Sequence, residues 1–153
     1  MNSNIDVGFE NEKFYNEDYH KLRHANLLSD DEYFWARAEA SQHFYFRDME
    51  LSEKRILDYG GGIGQTVAGM TGASVYDVSK NALEACSARG IPVVETITES
   101  YSGSFDMVIC RHALEHVPNP TEVLLELNNL LKPGGELFLV LPKEAHYSCS
   151  LGP

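Results

Sequence analysis

The segment Asp58-Tyr-Gly-Gly-Gly-Ile-Gly64 sets one carboxylate against four glycines within five residues, directly after the apolar pair Ile56-Leu57. Glycine belongs where the backbone must take φ > 0 or where a ligand lies directly against it. The spacing is Asp58-x-Gly60-x-Gly62-x-Gly64, with Gly61 between. The dinucleotide fingerprint G-x-G-x-x-G would need its third glycine where Gln65 stands, so an NAD site is disfavoured. A second carboxylate, Asp77, follows Asp58 by 19 residues and is followed by Val78 and Ser79. Such a carboxylate can accept both hydroxyls of a ribose; the plainer alternative is an acid at a helix N-terminus beside Ser79. A third cluster, His112-Ala-Leu-Glu-His116, allows three readings. On a helix the two histidines would share a face near Glu115, as at zinc sites. His116 alone could be a general base for an acceptor hydroxyl. It could also simply be hydrogen-bonded in a packed turn.

Residues of this kind need elements to carry them, and the chain after Lys54 alternates as a parallel α/β sheet demands. Strand one spans about 55–59 and breaks into the glycine turn, with a short helix expected over 63–70. Strand two is Ala73 to Asp77, then a helix capped by Ser79 buries Ala82, Leu83 and Cys86 and stops at Arg89-Gly90. Ile91-Pro-Val-Val-Glu95 reads as strand three and Ser104 to Cys110 as strand four. Asn119-Pro120 with Glu122 starts a helix that buries Val123, Leu124, Leu127, Leu130 and Leu131. Lys132-Pro-Gly-Gly135 ends it, and Glu136 to Leu141 is strand five. Ahead of the sheet, Ser29-Asp-Asp-Glu32 reads as a capping box opening a helix to about Arg47, and a shorter helix is expected near 16–27. Ten of the 16 aromatic residues precede residue 50. They pack on the sheet or wall a lid over an acceptor pocket; the packing reading is preferred.

Together these segments resemble the class I S-adenosylmethionine-dependent methyltransferases. D-x-G-x-G-x-G is similar to their motif I. Gly103-Ser-Phe-Asp-Met-Val-Ile-Cys-Arg-His112 is similar to their "sFDvV" strand, Leu114-Glu-His-Val117 to "LEHV", and Leu130-Leu-Lys-Pro-Gly-Gly-Glu-Leu137 to "LkPGG". The matches run in order from about residue 54 to 142. The resemblance implies a Rossmann-like, doubly wound α/β sheet of five parallel strands in the order 3-2-1-4-5, behind an N-terminal helical segment (1–50, with the sheet domain at 51–153). It implies S-adenosylmethionine as cofactor, held by Asp58, Gly60, Gly61, Gly62, Gly64, Gln65, Asp77, Val78, Cys110 and Arg111. Amides of the helix after the glycines would face the methionine carboxylate, and His116 and His112 would be the catalytic candidates; no metal ligand is assigned. Some members of the family that act in ubiquinone synthesis or on small-RNA ends carry E-x-x-E-H here and use it for a divalent metal, whereas this chain has His112 in the first position. The family also places an acid for the adenine after strand three, where this chain has Glu95-Thr-Ile-Thr-Glu-Ser100.

The 153 residues make one domain with a real core. A net charge of −11 with 12 scattered Lys and Arg argues against nucleic acid. Three cysteines without C-x-x-C indicate neither a disulfide framework nor a zinc ribbon. No membrane span or signal peptide is read, and the cytoplasm is the default location. The expected activity is methyl transfer to a small-molecule or sugar-type acceptor; the alternative is a non-catalytic or fragmentary cofactor-binding domain. The family sheet normally continues with an antiparallel hairpin after strand five. Its lack here predicts a bare apolar edge on that strand, so that either a second copy of the chain covers it or the natural protein is longer.

Overall fold

Four strands, β1 (Ile56–Tyr59), β2 (Ala73–Tyr76), β3 (Phe105–Arg111) and β4 (Leu131–Val140), form one sheet in the order β2-β1-β3-β4, each pair parallel. They are seen in a computed structural model that describes residues 24–143. Ile56 pairs with Ala73 on one side and Met107 on the other, which brings the ends of β1, β2 and β3 level. The helices are α1 (Ala25–Ser29), α2 (Asp31–Phe46), α3 (Lys80–Ala88) and α4 (Pro120–Leu130), with single 3-10 turns at Glu99–Tyr101 and Leu114–His116. β1 is buried at all four residues because both faces of the sheet are covered. Phe34, Ala38 and Phe46 of α2 and Ala82, Leu83 and Cys86 of α3 pack with Ile56, Met107 and Ile109. Val123, Leu127 and Leu130 of α4 pack with Leu57, Val108 and Cys110 on the opposite face.

Strand three of the five expected does not form as a strand. Val93 makes a lone parallel bridge to Val75, with Val75 N–H donating to Pro92 O at 2.9 Å and Val94 N–H to Val75 O at 2.8 Å. The segment sits where the order 3-2-1-4-5 puts it, but it stays a bridge: Pro92 has no N–H to donate, and the chain bends at Glu95 and Thr96.

The helix expected over 63–70 is absent too. Gly64 N–H bonds Gly61 O, Val67 N–H bonds Gly64 O, and Met70 N–H bonds Val67 O, a chain of three-residue turns. Gly64 and Gly69 take φ of 80° and 79°, so only four residues between them keep helical handedness, too few to propagate a helix.

The "LkPGG" segment is a bulge rather than a plain helix stop. Phe105 pairs with Leu131 and Met107 with Glu136, so residues 132–135 loop out of the ladder, with Gly134 at φ 79°.

At the N-terminal side the capping residue is Asp30, one place later than the capping box put it. Its Oδ1 accepts from Tyr33 N–H at 2.9 Å, while Ser29 Oγ donates back to Ala25 O inside α1. The helix expected near 16–27 lies mostly outside the described residues. α2 carries out the packing expected of it: the Phe46 and Phe138 rings meet at 5.0 Å. Arg89 fastens α1 and α2 to the end of α3 by donating to Leu27 O at 2.8 Å, pairing with Asp31 and lying over the Phe34 ring. The outer edge of β4 has no strand beside it among the described residues, and Leu137, Leu139 and Leu141 are exposed along it.

Candidate functional site

The glycine turn is stitched to the end of β2 before it reaches any side chain. Gly60 and Gly61 N–H both donate to Tyr76 O, at 2.8 and 3.2 Å. Gly62 N–H then donates to Asp77 Oδ2 at 2.8 Å, while Asp77 Oδ1 accepts from Ser79 N–H at 2.8 Å. Ser79 Oγ in turn caps α3 through Ala82 N–H. Asp77 sits at the head of α3, and it also faces the glycine turn, where three amides leave part of a carboxylate's acceptor capacity open. Burial pushes its carboxyl above the usual range, against the pull of the Ser79, Gly62 and Val78 amides.

Gly60, Gly62 and Gly64 have φ of 71°, 56° and 80°. A Cβ on Gly60 would stand 2.6 Å from Ala113 Cβ, so this glycine is demanded by handedness and space together.

Asp58 lies beneath the turn rather than on its open side. A Cβ on Gly61 would come within 2.6 Å of Asp58 Oδ2, and that buried oxygen has no hydrogen-bond partner. Thr66 hydrogen-bonds the Asp58 carboxyl, and Arg111 Nη2 donates to Thr66 Oγ1 at 3.0 Å. Burial outweighs the opposing effects of Arg111 and Thr66 and, with the Asp77 charge adding to it, raises the Asp58 carboxyl to about 7. Arg111 is the last residue of β3, with its guanidinium 5.3 Å from the Tyr45 ring centre of α2. Val78 and Gln65 are half-buried beside the turn. Cys110 is fully buried among the α4-facing residues, on the opposite side of the sheet from Arg111's neighbours Met107 and Ile109. Only its backbone could face the turn's ligand, and burial raises its thiol to about 11.

The histidine cluster is not helical. His112 has φ 53°, and Leu114–His116 is one 3-10 turn, so the shared helical face that suggested a metal does not exist. His112 Nδ1 lies 3.5 Å from Glu115 Oε1, and both histidines are exposed. Among the described residues no group of three or more His, Cys, Asp or Glu could hold a metal. Thr66 and Tyr45 were not singled out in the sequence; Thr66's polarity amid a glycine-rich and apolar stretch was the one available signal. A cavity of about 750 Å³ opens at the other end of the sheet, beside Leu51 and Ser52 before β1 and Met70 before β2, with Gln42, His43 and Phe46 of α2. The carboxyl ends of the strands, where open α/β sheets take their ligands, hold the turn instead.

This arrangement suits a nucleoside ligand: a carboxylate with spare acceptor capacity at one strand end, next to a turn whose glycines carry no side chains of their own. A family model described as "Methyltransferase domain" matches residues 27–151. The ubiquinone biosynthesis O-methyltransferase of Dechloromonas aromatica is 37% identical over 105 residues, which cover 60% of this chain and 45% of that protein. The enzyme of the same name from Pseudomonas aeruginosa is 36% identical over 103 residues, covering 58% and 44%. The chain thus spans less than half the length of these curated relatives. Among solved structures, a SAM-dependent methyltransferase of Thermotoga maritima superposes with a TM-score of 0.59 at 23% identity, over 76% of this chain and 57% of that one. The plantazolicin methyltransferase in complex with S-adenosylhomocysteine gives 0.51 at 19% identity, over 84% and 55%. At those identities the likeness establishes the Rossmann-like fold alone. No helix among the described residues is long and apolar enough to cross a membrane.

Proposed function

The chain belongs to the S-adenosylmethionine-dependent methyltransferase family, and from that premise we propose that it binds S-adenosylmethionine over the ends of β1 and β2 and methylates a hydroxyl oxygen of a small-molecule acceptor. The observation that carries the cofactor half is the Asp77 carboxylate, tied to Gly62 N–H yet able to accept more. The ribose hydroxyls are its natural donors, with Gly60, Gly61 and Gly62 giving the close backbone approach. When bound, the cofactor supplies a methyl group already activated on a sulfonium. The chain's own part is orientation, exclusion of water and a base for the hydroxyl proton. His116, one turn past the end of β3, is the candidate base, and His112, paired with Glu115, a neighbour that could place it. The hydroxyl acceptor is suggested by the relatives of ubiquinone biosynthesis, which are O-methyltransferases by name. A sugar-type acceptor has no such support.

The test is calorimetry with S-adenosylhomocysteine on the wild type and Asp77→Ala. Loss of two charge-assisted hydrogen bonds should cost about 2–4 kcal/mol of binding. Unchanged affinity in a variant that melts like the wild type would remove Asp77 from the site. A metabolite screen for added methyl groups would then identify the acceptor. His116→Ala should lower turnover by about 10²-fold while leaving cofactor affinity within a few fold. Full activity in that variant would rule out the base.

A further inference from the structure

Arg111 and Arg89 are both drawn under the helices, but they are used differently. Arg89 spends its donors on Leu27 O, Leu28 O and Asp31. Arg111 makes one described hydrogen bond, to the Thr66 hydroxyl, and no ion pair among the described residues. A guanidinium carries five N–H donors in a planar fork, so most of this one's capacity is open. Thr66 fixes one edge of the fork and the Tyr45 ring one face, which leaves the group held but unneutralised at the end of β3. It lies beside the glycine turn, because Thr66 belongs to the run of turns that begins at Gly61. That run replaces the helix whose N-terminal amides would have been the simplest anion site.

Resting on the cofactor reading above, we infer that Arg111 is the receptor for the carboxylate at the amino-acid end of the cofactor, aimed by Thr66 and backed by Tyr45. The fork matches a carboxylate in two parallel hydrogen bonds, which a lone hydroxyl cannot use. The buried Asp58 lies behind Thr66 and balances the cation only in part, since its own burial favours the neutral form. The α-carboxylate therefore completes a pairing that the protein leaves unfinished.

Three probes separate this role from a structural one. S-adenosylhomocysteine has the carboxylate, its decarboxylated counterpart lacks only that group, and 5′-methylthioadenosine lacks the whole amino-acid end. Calorimetry on the wild type should show a preference of about 10- to 100-fold for the first over the second. Arg111→Ala should abolish that preference and leave 5′-methylthioadenosine binding unchanged. Arg111→Lys should keep part of the preference, and Thr66→Val, which retains the shape without the hydroxyl, should reduce it. These two variants carry the test if Arg111→Ala does not fold. Equal weakening of all three probes in the Arg111 variants would make the residue structural and overturn the inference. So would a wild type that binds 5′-methylthioadenosine but shows no carboxylate preference, with the cofactor reading intact. A wild type that binds none of the probes would overturn both.

Discussion

Asp58 is a buried acid with one carboxylate oxygen lacking a hydrogen-bond partner, an environment far from what its type suggests. Unfolded, its carboxyl ionises near the ordinary 3.8; folded, near 7. Between those values the native state holds a proton that the unfolded chain has lost, so the Asp58 contribution to stability is full below pH 3.8 and is lost as pH rises through 7. The wild type should therefore lose stability from about pH 4 to 7.5 relative to Asp58→Asn, which keeps the shape without the titration. Parallel denaturation curves for the two proteins across that range would exclude the raised value. At this scale the sequence offered Asp58 as a candidate because an acid heads the glycine run and Asp77 because it follows strand two, whereas Arg111 was implied by the family resemblance alone. It did not show that Asp58 lies under the turn and Asp77 over it. That distinction comes from the Gly61 contact and the Gly62 hydrogen bond, both fixed in three dimensions.

Among the elements, β1, β2, α3, β3 and α4 were legible because caps, glycine stops and apolar runs agree with one another. The misreadings fall where one local rule defeats another. Pro92 cancels the β-branched Val93-Val94, and left-handed Gly64 and Gly69 cancel a helical stretch between them. His112 and His116 lost their shared face for the same reason, since a residue at φ 53° ends any regular helix. The glycine turn is the element most exposed to a single change. Gly60→Ala must bear both a left-handed backbone and a contact 2.6 Å from Ala113 Cβ. The expected cost is roughly 2–4 kcal/mol of stability, with cofactor affinity falling alongside it. Thermal melts and calorimetry would measure both, and an alanine variant as stable as the wild type would mean that the turn adopts another path.

For the molecule as a whole, the parallel sheet follows from alternation of elements, which is why the sequence carried it; the strand order was implied by the family resemblance alone. The tie between Gly62 N–H and Asp77 bears on the rate of capture under the proposed cofactor reading. A turn already closed in the protein alone has no folding left to do when its ligand arrives, so there is no slow isomerisation for the encounter to wait on. In stopped-flow mixing the observed rate should climb in a straight line with cofactor concentration. A plateau at high concentration would reveal a hidden opening step. Without one, the catching is governed by collision and the holding by the lifetime of the bonds at Asp77 and Arg111, so variants at those two residues should change how long the ligand stays and hardly how fast it comes.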